Sequence, residues 1–554
     1  MQSAQAVPRE PGKVAPRISA AVLLTRLVDG ELEVYFVRRS PKLRFFGGSW
    51  AFPGGVRDAV DGELGGTDEV ASLLACGQRE LFEEVGVLVG GLVGARGKRD
   101  DWAELQAGLG QRGGPTEAAL AGWRELCAPV AEAGGLLKDL RSIGWITTPA
   151  FRPLRYRTLF LHTSLPEGEV PHVDDGELVD GGFARPADVL AEWKRGERDV
   201  VPPVLFLLEH LVTAQAEAAT PEAALELFFK RAGDAMEAIA SGRLHSAFTS
   251  PGVLAAPLMT PTLPPAVTTN TYLVGIERVY VIDPGTYDDG ERARLFDTLD
   301  RWVADGREVA GVLLTHQHGD HVGSAAAVCE RYGVPLFAHA ATLAALAPRW
   351  DGGEVPSLAA EAGVTPRALG PAPAEIVAVE DGHAFELGDS ADGRPGWQLV
   401  ARHTPGHAAG HLVFVDARYG TLIVGDMAST VSTIVIDPPE GDLAVYLDSL
   451  RALLEWGAAC EPARESWNLL PAHGPWTSRG DKLVQRYLDH RAEREASLLR
   501  GLERGFHSRG ELVAHVYADT DERLWPVADR SLLAGLIKLA NAGHAVPAEL
   551  LEDA

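Results

Sequence analysis

The chain has 554 residues, with 77 Asp and Glu against 51 Lys and Arg, and its formal net charge of −26 excludes a generic basic surface for nucleic acid. Four scattered cysteines (Cys76, Cys127, Cys329, Cys460) form no CxxC pair and read as reduced thiols of a cytoplasmic protein, not as a disulfide framework. No apolar run approaches the ~20 residues needed to span a bilayer, so no membrane partner is expected.

From the N-terminus, residues 1–16 are polar and Pro-containing and read as a flexible lead. Residues 17–212 follow as a mixed α/β unit. Its most telling segments are Phe52-Pro53-Gly54-Gly55 and, after an insertion, Arg79-Glu80-Leu81-Phe82-Glu83-Glu84-Val85-Gly86. On a helix, Glu80, Glu83 and Glu84 are three and four residues apart and share one face. Like charges so placed repel, and a divalent cation, magnesium or manganese, is the natural occupant of that face. A merely solvated acidic face would explain neither the glycines nor the Arg79-Glu80 pair. Residues 100–138 read as a helix-rich insertion capping the cleft.

These residues resemble the Nudix hydrolases. Their box runs, in outline, Gly, five residues, Glu, seven residues, then Arg-Glu-x-x-Glu-Glu-x-Gly, and Arg79 to Gly86 match its second half. Gly65 stands at the register of the first glycine. Ala71 stands where the upstream glutamate belongs, with Glu69 a nearby substitute. The expansion between Gly54-Gly55 and Arg79 is similar to that of the peroxisomal coenzyme A diphosphatase-like branch, as are Arg38-Arg39-Ser40, Trp145 and Pro149 ahead of Arg152, and Pro202-Pro203. The resemblance implies a Nudix α/β/α sandwich in which Glu83 and Glu84 hold the cation. Glu80 is then a ligand or the base and Arg79 holds the loop; Arg38 and Arg39 are candidates for substrate-phosphate contacts, the alternative being that either is an exposed strand residue. The implied substrate is a nucleoside diphosphate linked to another group, coenzyme A-like in the most economical reading. The rival expectation, prompted by Ala71, is a non-catalytic ligand sensor.

Residues 213–242 read as a helical linker, and 243–480 as a second catalytic unit. The apolar run Gly311-Val312-Leu313-Leu314 leads into Thr315-His316-Gln317-His318-Gly319-Asp320-His321. In an extended segment His316 and His318 share a face, leaving Asp320 and His321 to reach a neighbouring position. Imidazole and carboxylate together suit zinc, and the spacing suggests two ions close together, an arrangement that hydrolyses polarised bonds. Three further polar groups follow strand-like runs: His407 in Thr404–His411, Asp426 after Leu422-Ile423-Val424, and His473 after Leu469-Leu470.

The segment from about 243 to 480 is similar to the metallo-β-lactamase superfamily. The resemblance implies an αββα sandwich holding two Zn2+. His316, His318 and His407 would take one ion, and Asp320, His321 and His473 the other, with Asp426 between them and Asp320 also catalytic. It implies that Asp283 orients the loop and that His411 is no ligand. His339 and His403 read as satisfied buried histidines. The substrate could be an ester, a thioester or a phosphodiester. Residues 481–554 resemble the winged helix carried by lactamase-like proteins, one of which is a single-strand endoribonuclease. From Leu502 this tail holds more acidic than basic residues, which argues against single-stranded RNA as a partner and for packing or homodimerisation.

Overall fold

A computed structural model describes residues 15–43, 46–66, 68–98, 101–111, 114–148, 155–174, 176–240, 246–350, 369–460 and 466–552. Residues 1–14 of the N-terminal lead, Pro149 and Arg152 lie outside them. The chain divides into two compact units, Glu10–His245 and Ser246–Ala554. No helix of the described residues is long and apolar enough to cross a membrane.

The first unit is built on a seven-stranded mixed sheet. Its strands are β1 (Arg17–Val28), β2 (Glu31–Arg39), β3 (Trp50–Ala51), β4 (Gly54–Val56), β5 (Arg141–Thr147), β6 (Tyr156–Ser164) and β7 (Leu178–Ala184). Along it run β3-β2-β1-β6-β5, while β4 pairs with β1 and β7 with β2. The central pair β1–β6 is parallel. Val22, Leu23 and Leu24 are buried in succession, which places cover on both faces of β1. One cover is the Glu69–Val85 helix, which carries the Arg79–Gly86 motif. It approaches the sheet so closely that a Cβ on Gly77 would fall 2.6 Å from Leu161. The insertion packs behind this helix through its own small core, with the Trp123 and Phe82 rings stacked at 5.4 Å. The helix begun at Pro202 runs past residue 212 to Glu217, and the Pro221–Ala240 helix returns against β5.

The second unit holds two sheets. The first contains β8 (Ala247–Ser250), β9 (Val253–Met259), β10 (Thr268–Val274), β11 (Arg278–Ile282), β12 (Glu308–Leu313), β13 (Leu336–His339) and β14 (Ile376–Val379), in that spatial order. The second contains β15 (Ala384–Gly388), β16 (Trp397–His403), β17 (Leu412–Asp416), β18 (Thr421–Gly425) and β19 (Asn468–Pro471), also in order. Tyr272, Ile282 and Leu313 from one sheet meet Trp397, Phe414 and Ile423 from the other in a shared apolar layer. The alternate residues face helices: Val281, Val312 and Leu336 meet Leu295, Leu299 and Val328, while Val413, Leu422 and Leu469 meet Tyr446, Leu450 and Tyr487. The period-two alternation of the strands thus builds a four-layered αββα unit. Beyond it, helices Gly480–Glu503, Arg509–Val516 and Trp525–Asn541 close a further apolar cluster around Leu498, Leu512, Leu532 and Leu536.

Candidate metal centres

In the αββα unit, five strands deliver polar residues to one edge. β12 runs into Thr315–His321, β16 into Thr404–His411, β18 into Asp426, β19 into His473, and β11 into Asp283. The β11 and β12 loops touch: a Cβ on Gly285 would fall 1.7 Å from the Asp320 carbonyl oxygen, so only glycine fits there. Asp283 fixes the metal loop. Its Oδ1 accepts the Thr315 amide at 2.8 Å, and its Oδ2 accepts the Thr315 hydroxyl at 2.6 Å and His321 Nδ1 at 2.8 Å.

These outer bonds set the histidine tautomers. The Thr315 hydroxyl spends its hydrogen on Asp283, so His316 Nδ1, 2.9 Å away, must donate to it. His407 Nδ1 donates to the Val435 carbonyl at 2.9 Å and His473 Nδ1 to the Thr268 carbonyl at 3.0 Å. His318 turns Nε2 toward Glu440 at 3.3 Å. The neutral rings then present bare Nε2 atoms of His316, His321, His407 and His473, and Nδ1 of His318, to one space.

His318 Nδ1 lies 2.9 Å from His316 Nε2 and 3.0 Å from His407 Nε2. Three lone pairs so close repel unless a cation lies among them. Two further triads, His316/His321/Asp426 and Asp320/His321/His473, each bring their ligand atoms within 4.8 Å of one another. Asp426 lies between the groups, 3.7 Å from both His321 Nε2 and His407 Nε2 and 3.3 Å from His473 Nε2. His321 Nε2 is buried without a hydrogen-bond partner. That orphan, the converging lone pairs and the nitrogen–oxygen donor set all fit metal ions of the zinc type.

The electrostatics follow the carboxylates: against burial, Glu440, Asp320 and Asp426 raise His318. Burial and the neighbouring imidazoles hold His316 well below the usual range, and burial with His318 brings His407 down to about 4. Burial opposes charge on His473 too, but the Asp426 and Asp320 carboxylates together outweigh it and push its pKa up to about 10. His321 is raised by Asp320, Asp426 and Asp283, again against burial. A cation in the centre would take the place of those protons.

His411 is not among the grouped ligands. Its Nε2 accepts the Asp426 amide at 3.1 Å and its Nδ1 meets Thr404 Oγ1 at 2.9 Å, so it holds the backbone of Asp426. His339 and His403 are only half-buried and stack on each other, their ring centroids 4.1 Å apart.

In the first unit, Glu80, Glu83 and Glu84 lie on the inner turns of the Glu69–Val85 helix beside β4. Gly54 donates its amide to Glu84 Oε2 at 2.7 Å, and a Cβ on Gly55 would fall 2.5 Å from the Glu80 carboxylate. Gly55 therefore lets β4 close over the acidic face, whereas a Cβ on Gly54 would fall 2.3 Å from the Ala20 carbonyl oxygen of β1. Arg79 is 2% exposed and meets Glu80 at 2.8 Å, Glu83 at 2.7 Å and the Val56 carbonyl at 2.9 Å. A further partner is Asp61, fully buried, which accepts Nε and Nη2 at 3.0 Å each. Sequence reasoning missed Asp61. It named Glu69 as the substitute for the upstream glutamate, but Glu69 instead pairs with Arg157 at 2.8 Å on the surface, and Ala71 sits in the helix's first turn. Burial raises all three glutamates: Glu83 to about 7 against the pull of Arg79, and Glu84 to about 8 against the Gly54 amide and Arg39. Arg39 is thus close enough to act on Glu84. Arg38 is exposed and bonds the Gly48 carbonyl at 3.3 Å.

Residues 264–459 match the sequence model of the Metallo-beta-lactamase superfamily, and residues 508–549 that of the Beta-lactamase associated winged helix domain. The chain is therefore a multidomain α/β protein with a metallo-β-lactamase domain and a C-terminal winged-helix domain. It is 29% identical over 280 residues to the Beta-lactamase-like protein 2 homolog of Drosophila melanogaster, covering 50% of this chain and 83% of that protein. It is 28% identical over 263 residues to the Atrochrysone carboxyl ACP thioesterase of Passalora fulva, covering 46% of this chain and 64% of that protein. Among solved structures it is similar to a NUDIX hydrolase from Alicyclobacillus acidocaldarius, 27% identical over 39% of this chain and 97% of that one, with a TM-score of 0.31. The superfamily match and the relatives support a hydrolase enzyme.

Proposed function

We propose that the αββα unit is a dinuclear zinc hydrolase of a thioester or related ester, and that the first unit is a Nudix-type diphosphatase of a nucleotide derivative. A coenzyme A thioester carries both bonds. The observation that carries the first part is the convergence of bare imidazole nitrogens on His318 Nδ1, 2.9 and 3.0 Å away, beside the orphaned His321 Nε2. His316, His318 and His407 would hold one ion, Asp320, His321 and His473 the other, and Asp426 would lie between. Bound there, the ions would polarise a carbonyl and lower the pKa of water. The chain's own part is to aim five ring nitrogens at one space, from which bound ions would displace the protons. Asp320 stays ionised, its pKa held down by His321 and His473 in spite of burial, and so can also accept a hydrogen bond from an entering water. The name of the thioesterase relative favours a thioester over a phosphodiester, and the net charge of −26 argues against RNA.

For the first unit, Glu83 and Glu84 would hold Mg2+ or Mn2+, with Glu80 a third ligand or the base. The buried Asp61–Arg79 pair favours catalysis over the sensor reading, because the support that Ala71 cannot give comes from elsewhere in the chain. Arg39, near Glu84, is the better-placed of the two arginines for a substrate phosphate.

A panel of thioesters and a fluorescent single-stranded RNA, with the Asp320→Ala protein as control, tests the first part. Turnover of a thioester that Asp320→Ala loses is expected, whereas cleavage of RNA alone would contradict it. Coenzyme A, acyl-coenzyme A, NADH, ADP-ribose and diadenosine polyphosphates with magnesium test the second. Release of a monophosphate pair should vanish in Glu83→Gln, and equal activity in that variant would end the diphosphatase reading.

A further inference from the structure

The winged-helix domain touches the segment that orients two of the proposed metal ligands. Between Asp426 and the Leu443–Ala458 helix the chain runs extended through Ile434, Val435, Ile436 and Asp437 and turns at Pro438–Glu440. Successive backbone groups of an extended segment point to opposite sides. On one side, the Val435 carbonyl accepts His407 Nδ1 at 2.9 Å, and the Glu440 carboxylate meets His318 Nε2 at 3.3 Å and the Gln317 amide. On the other side, the Ile434 carbonyl accepts Arg491 and the Ile436 amide donates to Ser531 Oγ at 3.3 Å. Arg530 then closes the segment, its Nε donating to Asp437 Oδ1 at 2.5 Å and its Nη2 to the Pro438 carbonyl. Ser531 and Arg530 both belong to the Trp525–Asn541 helix, the last long helix of the chain.

Every tie on the outer side therefore bears on the aim of His407 or His318, and none reaches Asp320, His321 or His473. We propose that Arg530 is a positioning residue for the His316/His318/His407 metal position: through Asp437 and Pro438 it holds the Val435 carbonyl and Glu440 where they fix the tautomers and directions of His407 and His318. The winged helix thereby acts as a brace on one half of the metal centre. This rests on the metal-centre reading of the same residues.

Zinc titration of the full-length, chelator-stripped protein against a chromophoric chelator tests it, with thermal unfolding followed in parallel. Wild type should take up two equivalents. Arg530→Met should weaken one by about tenfold, at the low end for loss of an outer partner of a ligand, and leave the other unchanged. Arg530→Lys, which keeps a donor for Asp437, should recover part of the loss. Lys538→Met removes the pair that ties the same helix to Glu495 without touching residues 434–440, so it should lower the unfolding temperature but not zinc affinity. If Arg530→Met does not fold, Asp437→Asn breaks the same contact from the other side and should show the same selective loss. Two wild-type equivalents with unchanged affinity in Arg530→Met or Asp437→Asn would overturn the brace alone. Equal weakening of both equivalents, matched by Lys538→Met, would also overturn it. A wild-type protein that takes up no zinc would overturn the metal reading and the brace with it.

Discussion

The carboxylate cluster of the first unit and the imidazole cluster of the second solve the same problem by opposite means. In the first unit, Glu80, Glu83 and Glu84 crowd like charges on a helix face, and a buried Arg79 braced by Asp61 offsets them. In the second, imidazoles are mixed with carboxylates: Asp320 and Asp426 offset the protons held by His321 and His473, and outer oxygens set the tautomers. A carboxylate face of this kind takes hard cations and releases protons as it does so, whereas a cage of aimed nitrogens suits a borderline ion held tightly.

The largest expected effect breaks the second cluster. Asp426→Ala removes the carboxylate between the two ligand groups. If several kcal/mol of charge stabilisation goes with it, hydrolysis should fall about a thousandfold or more, as an initial-rate comparison on the best thioester would show. The next sharpens the role of the buried arginine. Asp61→Leu leaves Arg79 short of its bidentate partner and should cost the first unit about 3 kcal/mol in denaturant unfolding, as expected when one side of a buried pair is removed. Glu69→Gln breaks only the exposed contact with Arg157 and should stay within about 0.5 kcal/mol of wild type. Equal effects of the two would return Glu69 to the role the sequence suggested.

An effect comparable to that of Asp61→Leu concerns pH. Glu83 and Glu84 have pKa values raised to about 7 and about 8, so the stability they confer is complete below their unfolded value and is lost as pH rises through 7 to 8. Without divalent cations, the first unit should therefore unfold more easily at pH 8.5 than at pH 6, with about 1.4 kcal/mol lost for every tenfold by which burial disfavours ionisation. Magnesium should restore it at pH 8.5 and do little at pH 6. In the second unit, the raised pKa of His473, about 10, gives a contribution that is complete below the unfolded imidazole value and declines as pH rises toward 10, so that unit also loses stability across this window. Magnesium that restored both calorimetric transitions alike at pH 8.5 would dissolve the distinction between the clusters.

Much of this was legible in the sequence for physical reasons. The seven residues Thr315–His321 carry their own geometry, because a strand end and a short helical turn fix which side chains converge. Asp283 was legible only through the family resemblance, which implied that it orients the loop. Asp61 was not legible: it lies 18 residues before Arg79, in a separate short helix that an Asp58 capping box begins, and no fixed spacing links the two. Val435 was also hidden, because its contribution is a backbone carbonyl and any residue type supplies one. Arg38 and Arg39 are adjacent in sequence, yet on a strand they point to opposite faces, and only the fold decides which one nears Glu84.

The dinuclear centre is tested most simply by the metal content of protein purified without added metal, measured by mass spectrometry alongside Asp320→Ala. About two zinc-like ions per chain are expected in wild type and one in the variant, since Asp320 belongs to only one of the two proposed positions. A single redox-active iron per chain, or two ions retained equally by Asp320→Ala, would overturn the dinuclear zinc centre.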